Sequence, residues 1–129
     1  MKRVLIIDDE EEFVSCMKTN IELRDGYEVI TALDGEEGLR EAQRGKPDLV
    51  LLDIKMPGMD GFEVLKRLKE NKDTRSIPVI MVTAKTEDDV MMEALKLHDD
   101  GYVIKPVKIE ELEEKMENAL REERDEKTS

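Results

Sequence analysis

The sequence predicts a three-layer α/β domain, (βα)5, with a five-stranded parallel sheet of order 2-1-3-4-5. Three observations carry this. Strand and helix patterns alternate five times along 129 residues, a length that suits one domain with one real core. The runs 4–7, 49–52 and 79–82 are apolar without alternation, as strands covered on both faces should be. Charged residues also stand at strand ends: Asp8 and Asp9 after the first, Asp53 after the third, Lys105 after the fifth.

Each element has its own signal. Residues 3–7 read as a strand and about 10–24 as a helix. Tyr27–Thr31 is a shorter strand with the polar Glu28 inside it. Asp34-Gly35-Glu36-Glu37 opens a helix with an Asp-x-x-Glu capping box, and Asp60-Gly61-Phe62-Glu63 opens another, ending near Glu70. Pro78 starts the strand at 79–82, and Thr86-Glu87-Asp88-Asp89 caps a helix ending near Leu97. Tyr102–Ile104 is the last strand and about 108–123 the last helix. Helices between strands imply right-handed crossovers and parallel pairing. The mixed strands 27–31 and 102–104 suit the two edges. The chain then turns one way after the first strand and the other way after the third. Such a switch point is where these sheets bind ligands.

Composition narrows the function. A net charge of −12 argues against direct nucleic acid binding and against an anionic membrane surface. No apolar stretch approaches a spanning helix, and the run after Met1-Lys2-Arg3 is too short for a signal peptide. A soluble cytoplasmic protein is expected. The single cysteine, Cys16, forms no internal disulfide and reads as a small, half-buried hydrophobe.

The strand-end residues define a chemistry. Asp8, Asp9 and Asp53 at one rim would repel strongly, so they call for a divalent cation. Oxygen donors of this kind suit magnesium. Asp9 and Asp53 can ligate directly and Asp8 through a water, and a backbone carbonyl just past Asp53 adds an oxygen. A carboxylate can attack phosphorus, and phosphoryl transfer is mainly positioning and charge neutralisation. Lys105 can pair with Asp53 and then with a phosphoryl group. Thr83 offers a hydroxyl at the end of the fourth strand, and the small Ala84 beside it leaves access open.

The motifs are Ile7-Asp8-Asp9-Glu10, the run from Asp48 through Asp53-Ile54-Lys55-Met56-Pro57-Gly58 to Gly61, Val82-Thr83-Ala84-Lys85, and Tyr102-Val103-Ile104-Lys105-Pro106. Thr83 lies 30 residues after Asp53 and Lys105 lies 52 after it. With these motifs and spacings, the chain resembles the receiver domain of two-component response regulators, of the single-domain kind found in chemotaxis and sporulation relays. The resemblance covers about residues 2–122. It implies a flavodoxin-like domain over 1–123, followed by a charged, frayed tail at 124–129. It makes Asp53 the phosphoacceptor. Asp8, Asp9, Asp53 and the Lys55 carbonyl bind magnesium, for which manganese can substitute. Thr83 and Lys105 hold phosphoryl oxygens. Tyr102 is the switch aromatic that follows Thr83, and the Lys105-Pro106 bond is cis.

The resemblance further implies a function. A sensor histidine kinase or a His-phosphotransfer protein supplies the phosphoryl group. The face of the fourth helix, fifth strand and fifth helix then controls a downstream effector. Self-phosphorylation from small donors and slow self-dephosphorylation are the only activities expected. The partner surface is drawn from Phe13, Met91, Tyr102, Pro106 and Val107, and the chain is a monomer or a weak phosphorylation-dependent dimer. It is either a stand-alone regulator or the receiver of a longer one. Three positions depart from the usual pattern. His98-Asp99 stands where a small Gly-Ala pair is usual, Val107 where phenylalanine is frequent, and Lys55 puts a long cation beside the site. Two other classes fit less well. An aspartyl phosphatase wants Asp-x-Asp after the first strand, and a flavin binder wants a Ser/Thr/Gly-rich loop where this chain has consecutive acids.

Overall fold

The computed structural model describes residues 1–84 and 101–128, with side chains as far as Arg121. The strands are β1 (Lys2–Ile7), β2 (Tyr27–Ala32), β3 (Leu49–Asp53), β4 (Val79–Ala84) and β5 (Tyr102–Lys105). They form one parallel sheet of order β2-β1-β3-β4-β5, as the sequence predicts. The described helices are α1 (Glu11–Glu22), α2 (Gly35–Gly45), α3 (Gly61–Glu70) and the C-terminal α4 (Ile109–Thr128). The helix expected between Thr86 and Leu97 lies outside the described residues, as do Met91, Met92 and His98-Asp99.

Alternate residues of each central strand point to opposite faces, and this divides the core in two. Val4 and Ile6 of β1 pack with Val14, Met17 and Ile21 of α1 and with Leu112, Met116 and Ala119 of α4. Leu5 and Ile7 pack with Ala42 of α2 and with Val64, Leu65 and Leu68 of α3. The unbroken apolar runs are explained by this, since both faces of β1, β3 and β4 are covered.

Both expected caps form. Asp34 accepts a hydrogen bond from the Glu37 N–H at 2.8 Å, and Asp60 from the Glu63 N–H at 3.0 Å. Neither box closes reciprocally. The Glu37 carboxylate reaches the Leu33 N–H, and Glu63 turns to Arg67.

Two expectations are corrected. Cys16 is exposed rather than half-buried. The inward stripe of α1 is Val14, Met17 and Ile21, and Cys16 lies off that line, its carbonyl accepting from Asn20. The last helix runs to Thr128 rather than ending near 123. Residues 121–127 are Arg, Glu, Asp and Lys with no Gly or Pro to stop a helix.

The open edge of β2 is covered at one point by an ion pair from α1. Lys18 and Glu22 pair at 3.0 Å. Glu22 accepts from the Val29 N–H at 3.1 Å, and Lys18 donates to the Val29 carbonyl at 3.2 Å. The hydrogen bond from Lys18, then that from Val29, hold the Glu22 carboxyl below its usual value.

Beyond α3 the chain is tied down by Thr74, which is buried. Its hydroxyl donates to the Leu68 carbonyl, one of the last of the helix, at 2.7 Å. Thr74→Val keeps the shape and removes the donor, so it should cost about 1–3 kcal/mol, read as a lower urea midpoint. Thr74→Ser should recover most of the loss. An unchanged midpoint for the valine variant would show that this bond contributes nothing net.

Candidate functional site

The carboxyl ends of β1 and β3, the two strands where the winding reverses, carry the acids. Asp8 follows β1 directly and is 1 % exposed, and Asp53 ends β3 at 5 % exposed. Asp9 is exposed. Oxygens of Asp8, Asp9 and Asp53 lie within 4.8 Å of one another. The three predicted carboxylates are therefore together.

Lys105 ends β5 and reaches across the rim. Its ammonium lies 2.6 Å from Glu10 Oε1, 3.0 Å from Asp8 Oδ2 and 3.7 Å from Asp53 Oδ1. It also sits 4.4 Å from the centre of the Phe13 ring, close enough for a cation–π contact. The expected Lys105–Asp53 pair is thus the longest of its three ionic contacts among the described residues. Glu10 is a site residue that the sequence motifs did not single out. Its only signal is its place as the third acid of Asp8-Asp9-Glu10. As the N-cap of α1 it faces back over the rim, and its own N–H donates to Asp8 Oδ1 at 2.9 Å.

Asp8 Oδ2 has no aligned hydrogen bond among the described residues, its contact with Lys105 being ionic. A buried oxygen whose neighbouring ammonium is shared among three acids, beside two further carboxylates, fits a cation. An all-oxygen set of this size suits a hard divalent ion.

The electrostatics agree. Burial first, then the charge of Asp8, with smaller additions from Asp9 and Glu10, pushes the Asp53 carboxyl up to about 7 against the opposing pull of Lys105. Burial also raises Asp8, against the Glu10 N–H and the Lys105 ammonium. Burial is a larger cause of the Asp53 shift than the like charge around it. Burial disfavours the charged form of Lys105, but contacts with Glu10 and Asp8 outweigh it and hold the ammonium above its ordinary value.

The remaining predicted residues surround this core. Thr83 is buried at the end of β4, and its hydroxyl donates to the Ala84 carbonyl at 3.3 Å. Ala84 is exposed beside it. Tyr102 begins β5, half-buried against the core face that contains Met81. Lys55 is exposed in the loop after β3, Pro106 is exposed, and Lys105-Pro106 is cis. Phe13 and Val107 are half-buried against the other core face.

Fold and rim define a doubly wound α/β domain with three carboxylates and a lysine at its switch point. Residues 4–117 match the response regulator receiver domain, and the chain belongs to that family, which serves two-component phosphorelay signalling. It is 42 % identical over 120 residues to the alkaline phosphatase synthesis transcriptional regulatory protein PhoP of Bacillus subtilis, covering 93 % of this chain and 49 % of that protein. It is 35 % identical over 121 residues to the transcriptional regulatory protein AfsQ1 of Streptomyces coelicolor, covering 94 % and 52 %. The chain thus spans about half the length of the curated relatives it matches. A CheY-like receiver domain from Methanospirillum hungatei superposes with a TM-score of 0.88 at 33 % identity, covering 98 % of each chain. A receiver domain from Clostridium thermocellum gives 0.88 at 32 %, covering 96 % of this chain and 98 % of its own. No described helix is long and apolar enough to cross a membrane.

Proposed function

We propose that Asp53 accepts a phosphoryl group from a histidine kinase or His-phosphotransfer protein, with magnesium held by Asp8, Asp9, Asp53 and the Lys55 carbonyl. The observation that supports this best is the buried Asp53 carboxylate, 5 % exposed, beside Asp8 and Asp9 and within reach of Lys105. An Asp53 oxygen attacks phosphorus, the P–N bond to the donor imidazole breaks, and its electron pair stays on nitrogen. Bound magnesium would neutralise the carboxylates and a phosphoryl oxygen. Lys105 moves onto a second phosphoryl oxygen, and the Thr83 hydroxyl turns from the Ala84 carbonyl to a third. Tyr102 then fills the space that Thr83 leaves.

That repacking carries the signal to β5 and the C-terminal helix. A population shift between two packings needs only a differential affinity for the phosphoryl group. The effector docks against Tyr102, Pro106 and Val107, and the phosphodonor protein near Phe13. The domain is taken as 1–123. The PhoP and AfsQ1 relatives are transcriptional regulatory proteins of which this chain matches about half, so a longer chain with such an output is one setting for this switch.

Incubation with magnesium and acetyl phosphate should add one phosphoryl group to the parent, seen by mass spectrometry, and none to Asp53→Asn. Equal labelling of the variant would remove Asp53 from the role.

A further inference from the structure

Lys105 has to serve the phosphoryl group, yet in this structure its tightest partner is Glu10. Three acids share one ammonium: Glu10 at 2.6 Å, Asp8 at 3.0 Å and Asp53 at 3.7 Å. Glu10 is 62 % exposed and the Lys105 side chain 17 %, so the pair spans the border between rim and solvent. The Asp8 carboxylate fixes the Glu10 backbone through its N–H, and the Phe13 ring lies under the ammonium. Both hold the lysine on the α1 side of the rim. Among the described residues the other charged groups facing it are Asp8 after β1 and Asp53 of β3, with Asp9 adjoining them.

We infer that Glu10 is a positioning residue that competes with the phosphoryl group for Lys105 and so latches the unphosphorylated state. This rests on Asp53 as the acceptor. Lys105 lies 2.6 Å from Glu10 but 3.7 Å from Asp53, so drawing its ammonium toward a phosphoryl oxygen on Asp53 weakens the contact with Glu10. The latch is local to the receiver. It sets how much phosphoryl affinity is spent on freeing the lysine before Thr83 and Tyr102 respond. Removing it makes the switched state easier to reach, with no loss of any group that touches phosphorus or metal.

The test uses beryllium fluoride with saturating magnesium on the full chain, titrated by NMR. Glu10→Gln keeps the length and removes the charge, and Glu10→Ala removes both. A partly exposed ion pair predicts about two- to fivefold tighter beryllium fluoride binding in both variants. The Lys105 ammonium 15N signal should shift in the unliganded variants and coincide with the parent's once beryllium fluoride is bound. Magnesium affinity, by calorimetry, should stay within about twofold, and thermal midpoints should be close to the parent's. A purely structural role would move the midpoints and leave the ammonium signal alone. Equal or weaker beryllium fluoride binding in both variants overturns the latch. If the parent itself fails to bind, the acceptor assignment of Asp53 fails instead, so the two readings are separable.

Discussion

Asp53→Asn should make the metal-free protein more stable at pH 8, although it removes the proposed acceptor. The folded Asp53 titrates at about 7, against an ordinary value of 3.8. Between these pH values the folded chain keeps a proton that the unfolded chain has released. Stability therefore falls as pH rises from about 4 to about 7 and then levels. Three pH units at ~1.4 kcal/mol each bound the loss at about 4 kcal/mol. Water and counterions at an open rim reduce this to about 2 kcal/mol. Asparagine cannot ionise, so the variant should lose this slope and exceed the parent by that amount at pH 8. Urea midpoints at pH 5 and pH 8, without metal, measure both. Saturating magnesium should close or reverse the gap by stabilising the parent more than the variant, since a ligand at 100 times its dissociation constant adds about 2.7 kcal/mol. A variant less stable than the parent at pH 8 would contradict the buried-charge account.

The second large effect is expected at Gly61, the first residue of α3. A Cβ there would lie 2.3 Å from the Asp53 carbonyl oxygen and 2.7 Å from the Ile54 Cα. The Gly61 N–H also donates to the Ile54 carbonyl at 2.7 Å. The obstacle is backbone, which no rotamer change relieves, so Gly61→Ala should cost about 3 kcal/mol. It should also slow phosphorylation, because the helix can retreat only by shifting the end of β3 that carries Asp53. Gly58→Ala is the control. Gly58 has φ +76° and no atom within 4 Å of the place a Cβ would take, so only backbone strain of about 1 kcal/mol applies. Similar melting losses for the two variants would remove the close approach as the cause.

Periodicity made most of the fold legible. Unbroken apolar runs marked β1, β3 and β4, mixed ones the edges, and Asp34 and Asp60 their helix starts. Helix ends were less legible. Charged residues of both signs propagate a helix as well as they solvate a loop, so 121–127 offered no stop signal. Cys16 was misplaced because a residue next to Met17 in sequence lies about 100° away on the helix surface. At the site, strand ends located Asp8, Asp53 and Lys105 correctly. The partner of Lys105 was not legible. A four-carbon side chain can reach any of three acids, and the choice of Glu10 depends on where α1 begins and how it leans over the rim. Burial was likewise invisible in the acids themselves. It comes from helices on both sides of β1 and β3, and it outweighs like charge in raising Asp53.

The clamp of Lys18 and Glu22 on Val29 has a consequence for how copies of this protein can meet. A sheet that offers two free margins can be extended at both, and repeated addition yields a fibre. Here the β2 margin has both backbone groups of Val29 already engaged by α1. Growth on that side would first have to break two hydrogen bonds and strip an ion pair. Edge-to-edge pairing at this point of β2 is thereby disfavoured.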